Sequence, residues 1–281
     1  MDWWEALILG LVEGITEYLP VSSTGHLLVV QRLLGIESNE ISDAFAISVQ
    51  LGAIVAVLGL YRARVAQMVK GVFGRDRDGL GLALNIVAAF VPAAILGLLL
   101  EKPIKENLFG GGEWGLWPIV LAWFVGGVAI LAVAFYKRYS GKGQQSGKDI
   151  LQLTWQLAVV IGIAQCLAMW PGVSRSLITI VGGVLVGLRL PAAVEFSFLL
   201  GVVTLGAATS LDLLRHGAAM LEHYGVVSLG IGFLAAWISA VLAVKWMVSY
   251  LNKHGMEIFG YYRIGIAIVV GIWISLGAVS L

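Results

Sequence analysis

Fifteen residues near the N-terminus, EGITEYLPVSSTGHL from Glu13 to Leu27, gather Glu13, Glu17, Ser22, Ser23, Thr24 and His26 within otherwise apolar sequence. Glu13 and Glu17 are four apart, so a helix places both on one face. Two carboxylates so placed repel unless a cation or a shared proton intervenes. That leaves two chemistries open: a divalent-metal site with oxygen ligands, Mg2+ or Ca2+, or a general base tuned by its neighbour. The bland alternative is a pair at a wet helix end. Ser22, Ser23 and Thr24 follow Pro20 and open a helix, where hydroxyls routinely cap; the same helix N-terminus in a dry site is an anion trap. His26, about one turn past Ser23, has the chemistry of a general acid, general base or nucleophile.

A second cluster, PGVSRSLIT, offers Ser174, Arg175, Ser176 and Thr179 behind Pro171 and Gly172. Two half-helix N-termini, a guanidinium and several hydroxyls converging at one depth suit a phosphate or diphosphate, because the arginine fork binds phosphate oxygens bidentately. Glu195, beside Phe196, is a candidate counter-charge for Arg175. His216, His223 and His254 fall in or near expected loops and are read as structural, and Cys166 as a small buried hydrophobe.

The elements that must position these residues are membrane elements. Of 281 residues 59% are hydrophobic and 12% charged, with a mean hydropathy of +0.91; soluble domains carry about 25% charged residues. A net charge of +1 gives no basic field for nucleic acid. The start MDWWEALILG is acidic, unlike a cleavable leader, and ten Trp suit interfacial anchoring. Six stretches are long enough to cross a bilayer, at about 44–62, 82–100, 117–137, 192–213, 225–247 and 261–280. Two further apolar regions, 4–35 and 151–188, are broken by Pro20 and by Trp170-Pro171-Gly172. Each is expected to be a re-entrant helical hairpin, since irregular backbone at membrane depth must be buried in protein or line a wet cavity.

The broken regions also match each other. GITEYLPVSS (Gly14 to Ser23) aligns with GIAQCLAMWPGVSR (Gly162 to Arg175), and Asp43, Phe45 and Gly52 follow one as Glu195, Phe196 and Gly201 follow the other. This is an internal duplication inside a single membrane domain, 1–281, with half one at about 1–115 and half two at about 151–281. The segments 62–81, 137–150, 189 and 245–263 hold thirteen Lys or Arg against four on the other side (Arg32, Lys102, Lys105, Arg215). The positive-inside rule then makes the first set cytoplasmic and both termini external. The expected fold is an all-α polytopic membrane protein with inverted repeats, six transmembrane helices and two re-entrant hairpins meeting near the midplane.

With these residues in hand, the chain resembles the bacterial undecaprenyl-diphosphate phosphatase family of the bacitracin-resistance type. Its first motif, roughly Glu-Gly-x-Thr-Glu-Phe-Leu-Pro-x-Ser-Ser-x-Gly-His, reads EGITEYLPVSSTGH here. Its second reads PGVSRSLIT, a third is matched by EFSFLL at 195–200, and YYRIGIA near the C-terminus is also similar. Leu177 and Val203 depart from the pattern, standing where Gly and Pro are usual. The resemblance implies hydrolysis of a C55 isoprenyl diphosphate lipid to the monophosphate at the outer face of the bacterial inner (plasma) membrane. It also implies dependence on a divalent cation and a role in recycling the lipid carrier of cell-wall polymers. On this reading Ser23 is the chosen nucleophile, with Ser22 and water as alternatives. Glu13 and Glu17 hold the metal or position the attacking group, and His26 assists proton transfer. Arg175 binds and stabilises the phosphates with Ser22, Thr24, Ser174, Ser176 and Thr179. A homodimer is left open as a partner state. The rival class is a lipid-phosphate transporter or flippase without hydrolysis, to which inverted repeats are equally suited. A phosphatase of the acid-phosphatase superfamily needs a second histidine soon after Ser-Arg, and none occurs between Arg175 and His216.

Overall fold

The computed structural model describes residues 2–36, 40–108, 115–139 and 146–277, and it is helical throughout apart from one isolated bridge between Lys148 and Leu188. The helices are α1 (Trp3–Thr16), α2 (Ser23–Leu33), α3 (Glu40–Leu60), α4 (Arg62–Val72), α5 (Arg77–Leu108), α6 (Trp117–Tyr139), α7 (Trp155–Gln165), α8 (Arg175–Leu185), α9 (Leu190–Leu251) and α10 (Glu257–Ser275). Short 3-10 turns occupy Ile150–Gln152 and Cys166–Met169. Among the described residues four helices are long and apolar enough to cross a membrane, and a fifth span is formed if α3 and α4, bent by 81°, count as one. The surface supports that reading: α5 turns Leu84, Val87, Val91, Ile95 and Leu98 outward, and α6 does the same with Leu121, Phe124, Val125 and Val128. Apolar stripes of this kind need lipid rather than water around them. The chain is an all-α polytopic membrane protein. The Asp43 side chain, Lys142 and the last residues of the stretch at 261–280 lie outside the described residues.

Helix α9 is 62 residues long, but Gly225 leaves helical geometry with φ 71° and ψ 162°. This positive φ suits a residue without Cβ. The chain folds back there, as α1 shows. A Cβ on Gly14 would meet Ser239 Oγ at 2.1 Å, while Tyr18, one turn on, packs its ring 5.0 Å from that of Phe198. In a straight helix Phe198 and Ser239 would stand about 60 Å apart at 1.5 Å per residue. The two arms of α9 correspond to the separate stretches expected at 192–213 and 225–247.

Each broken region lies on a helix from the other half. Gly10 and Gly14 of α1 let its backbone approach the second arm of α9, where added Cβ atoms would meet Gly232 O at 2.3 Å and Ala236 O at 2.2 Å. Gly162 of α7 does the same against α5, meeting Ala89 O at 2.3 Å. Small residues at such crossings replace the hydrophobic drive that lipid cannot supply. The interlocking buries one core running from Tyr18 and Leu19 through Ile161, Leu177 and Ile180 to Phe196, Phe198 and Met247. Leu177 is almost wholly enclosed in it and Val203 packs against its edge, so both departures are accommodated as apolar packing.

Candidate functional site

The two short loops that follow α1 and α7 position the candidate reactive side chains, and their backbones repeat one unusual conformation. Ser22 and Ser174, aligned with each other in the expected internal duplication, are N-caps with φ 74°, ψ 97° and φ 74°, ψ 114°. They are also the only positive-φ residues other than glycine among the described residues. Such backbone is uncommon for a residue with a side chain and persists where the surroundings enforce it. Here each serine Oγ accepts a backbone N–H three residues ahead, from Gly25 at 3.4 Å and from Leu177 at 3.3 Å. The cap turns the next side chain, Ser23 in one case and Arg175 in the other, toward the junction between the loops.

At that junction Glu17 joins the two halves. Ser23 Oγ donates to Glu17 Oε2 in a short hydrogen bond, and Arg175 Nη2 donates to Glu17 Oε1 at 3.0 Å. Arg175 Nη1 is fixed on the Ser197 carbonyl at 3.0 Å, and the guanidinium carbon lies 5.3 Å from the Tyr18 ring centroid. Gly201 keeps this space clear, since a Cβ there would lie 2.2 Å from Arg175 Nη1. Glu195, expected to balance Arg175, instead pairs with Arg64 at 2.7 Å. The correction has a simple cause: Glu195 sits in the first turns of α9 facing α4, whereas Arg175 reaches across to the first loop. His216 and His223 stand within α9 rather than in loops, His216 lying 3.9 Å from Asp212.

A cavity of about 470 Å³ opens beside this junction. Its lining includes Glu17, Ser22, Ser23, Thr24, Ser174 and Arg175 on the polar side and Phe90, Ala94, Leu98, Leu205 and Leu211 on the apolar side. Glu13, His26, Ser176 and Thr179 do not line it. Ser176 Oγ donates to the Leu19 carbonyl at 2.8 Å, pinning one loop to the other, and lies 3.0 Å from Ser174 Oγ. Thr179 Oγ1 donates to the Arg175 carbonyl at 2.8 Å and meets Ser197 Oγ at 2.6 Å. His26 has both nitrogens engaged: Nδ1 at 2.6 Å from the Ser22 carbonyl and Nε2 at 2.8 Å from Tyr262 Oη. A carbonyl only accepts, so Nδ1 carries the proton and the tyrosine donates to Nε2. The group in contact with Ser23 is therefore Glu17, not His26.

Glu13 is fully buried and both its carboxylate oxygens lack a hydrogen-bond partner. Two carboxyl groups one helical turn apart, the inner one without a donor from the rest of the protein, fit either a shared proton or a hard cation with oxygen ligands. No cluster of three or more His, Cys, Asp or Glu occurs among the described residues, so the protein offers two carboxylates rather than a closed cage.

Sequence reasoning missed the residue that ties the loops together. Arg263, in α10, is 0% exposed and donates to Pro20 O at 3.3 Å, Gly172 O at 2.8 Å, Ala122 O at 2.8 Å and Trp123 O at 3.3 Å. It is thus not one of the cytoplasmic loop charges among which it was counted. A lone arginine inside an apolar run was the available signal. Trp123 Nε1 adds a bond to Val21 O at 3.0 Å, and Trp170 Nε1 one to Pro118 O at 3.1 Å.

The family model described as bacitracin resistance protein BacA matches residues 6–269. An undecaprenyl-diphosphatase of Sorangium cellulosum is 44% identical over 275 residues, covering 98% of this chain and 87% of the relative. One of Nitrosospira multiformis is 42% identical, covering 96% and 95%. One of Aquifex aeolicus is 40% identical, covering 96% and 97%.

Proposed function

The chain belongs to the bacitracin resistance protein BacA family, and from that premise we propose that it is an integral membrane phosphatase acting on undecaprenyl diphosphate. It releases inorganic phosphate and undecaprenyl phosphate, recycling the lipid carrier of cell-wall polymers and conferring bacitracin resistance. The observation that carries the reading is the junction of Ser23, Glu17 and Arg175 at the mouth of a cavity with one apolar wall. A hydroxyl, a base and a phosphate-binding cation meet there, with an apolar wall beside them against which the first part of a lipid chain can lie.

In the proposed reaction Ser23 Oγ attacks the terminal phosphorus while Glu17 Oε2, already its acceptor, takes the proton. The bond from that phosphorus to the bridging oxygen breaks, and the lipid monophosphate leaves. Water then attacks the phosphoserine phosphorus and the bond to Oγ breaks; Glu17 returns its proton to Ser23 Oγ, and the hydrogens of the water leave with the inorganic phosphate. Arg175 and the backbone N–H groups at the two half-helix starts neutralise charge on the phosphoryl oxygens. Ser22 is a weaker nucleophile candidate because its Oγ already caps Gly25. A divalent cation on Glu13 and Glu17, Mg2+ or Ca2+, would neutralise phosphate charge when bound. His26 holds the Ser22 carbonyl and so the turn that aims Ser23.

Six spans, α3, α5, α6, both arms of α9 and α10, with α1–α2 and α7–α8 as re-entrant hairpins, form the proposed inverted repeat. Without Arg263 the charge asymmetry still stands at twelve to four, favouring external termini and a site reached from the periplasmic side. The paired conformation of Ser22 and Ser174 is also what a transporter with inverted repeats would carry. Detergent, which has no sides, separates the two. Purified protein should release phosphate from an isoprenyl diphosphate, lose that activity with EDTA, and lose it again in Arg175→Ala. No release from well-folded wild-type protein would overturn hydrolysis in favour of transport.

A further inference from the structure

The loop that leads to Ser23 has three successive carbonyls held by side chains. Arg263 Nη1 donates to Pro20 O at 3.3 Å, Trp123 Nε1 to Val21 O at 3.0 Å, and His26 Nδ1 to Ser22 O at 2.6 Å. The second loop has no counterpart to the last of these. Four residues past Ser174 stands Ile178, which can offer the Ser174 carbonyl only its backbone N–H, at 3.2 Å. The histidine is thus particular to the hairpin with the proposed nucleophile, and it has a partner of its own. A neutral imidazole carries one proton, on whichever nitrogen its two neighbours favour. The Ser22 carbonyl needs that proton on Nδ1, and Tyr262 Oη, 2.8 Å from Nε2, donates to the other nitrogen. With the proton on Nε2 instead, a lone pair would face the carbonyl and the Ser22 bond would be lost. His26 is 8% exposed, so an Nε2 deprived of the phenol becomes a buried acceptor without a donor. Neither His26 nor Tyr262 lines the cavity, so neither touches a substrate held there.

We infer that Tyr262 is a positioning residue: through His26 it holds the turn at Ser22 that aims Ser23 at the phosphorus. This rests on the phosphatase reading above. A φ of 74° at a serine lasts only where the surroundings enforce it. The serine's own cap, on the Gly25 N–H at 3.4 Å, is long, whereas His26 Nδ1 meets the Ser22 carbonyl at 2.6 Å. Two successive residues of α10 therefore grip the reactive loop, Arg263 directly and Tyr262 by way of His26.

The test is a cycle of substitutions read by phosphate release from an isoprenyl diphosphate in detergent. Tyr262→Phe keeps the ring and removes the hydroxyl. It should lower kcat about three- to tenfold, the worth of one neutral hydrogen bond, and leave KM unchanged. His26→Asn keeps a donor in the place of Nδ1 and has nothing in the place of Nε2. In that background Tyr262→Phe should cost nothing further. Equal losses in both backgrounds, a loss confined to KM, or an unchanged kcat would each overturn the assignment. A second readout needs no turnover and carries the test if His26→Asn does not fold. In protein with nitrogen-15 in its four histidine rings, Tyr262→Phe should shift the ring signals of one histidine and leave those of His216, His223 and His254 in place. Spectra that the substitution leaves unchanged would overturn the assignment whatever the kinetics. Wild-type protein that releases no phosphate would sink the phosphatase reading instead, and the spectra would then decide by themselves whether Tyr262 holds His26.

Discussion

Ser22 and Ser174 share φ 74°, cap the N–H three residues on, and follow helices that each press a glycine against the opposite half. Beyond that backbone the hairpins diverge. Where the first carries Glu13, Glu17 and Ser23, the second carries Ile161, Gln165 and Arg175. One hairpin holds an acid pair and a hydroxyl, the other a cation and a neutral donor. On the proposed reading the difference teaches how a repeated turn builds an asymmetric site: the shared turn fixes where side chains point, and the side chains divide the chemistry.

The largest effects expected of breaking this division are at Ser23 and Arg175; Arg175→Ala should lower kcat/KM by about 10³-fold or more, the scale of an arginine that neutralises a transferred phosphoryl group. Ser23→Ala should abolish turnover while leaving lipid binding intact; retained turnover would sink the nucleophile assignment. Next comes the link between the hairpins. Arg263→Met leaves buried carbonyls on both loops without donors and should destabilise the detergent-solubilised protein by about 3 kcal/mol or more, read as a lowered Tm. A small Tm change would mean the loops hold each other without it.

How far these contrasts could be read from sequence follows from how local their causes are. The breaks at Pro20 and at Trp170-Pro171-Gly172, the apolar stretches and the paired serines depend on neighbours in the chain, and helices stand at each expected stretch. The break at Gly225 stands at the start of the second of two stretches already expected to be separate spans. Partners distant in sequence were not legible. Arg263 meets Pro20 across 243 positions, and nothing in YYRIGIA says which carbonyls it will face. Glu195 was expected to balance Arg175 of the second cluster, yet helix packing gave it Arg64, 131 positions away. His26 sits beside Ser23 in sequence but reaches Tyr262 in space.

The packing glycines sharpen the comparison further. Gly14→Ala and Gly162→Ala each push a Cβ into backbone of the opposite half, at 2.2 Å from Ala236 O and 2.3 Å from Ala89 O. Both should cost about 1–3 kcal/mol of stability; a cost at one site only would argue against equivalent hairpins. Tyr18→Phe should do the opposite. The Tyr18 hydroxyl is buried without a partner while its ring packs on Phe198, so its removal should raise stability by about 1 kcal/mol. The smallest effect concerns Asp149, just before the second hairpin, whose carboxyl is held below its usual range chiefly by the hydrogen bond from Arg189. A depressed folded pKa adds stability above the unfolded value, and that stability is lost as pH falls through the folded one. The pair is well exposed, so Asp149→Asn should lower Tm only slightly at neutral pH. Its difference from wild type should vanish as pH drops below the ordinary carboxylate range, about 4.

A double-mutant cycle on phosphate release tests most directly whether the hairpins form one site. Ser23→Ala, Arg175→Ala and the double variant are compared with wild type in detergent. Residues of one catalytic unit are strongly non-additive, so the double variant should be hardly slower than the worse single one. Losses that multiply would contradict a shared site and place Ser23 and Arg175 in separate functions.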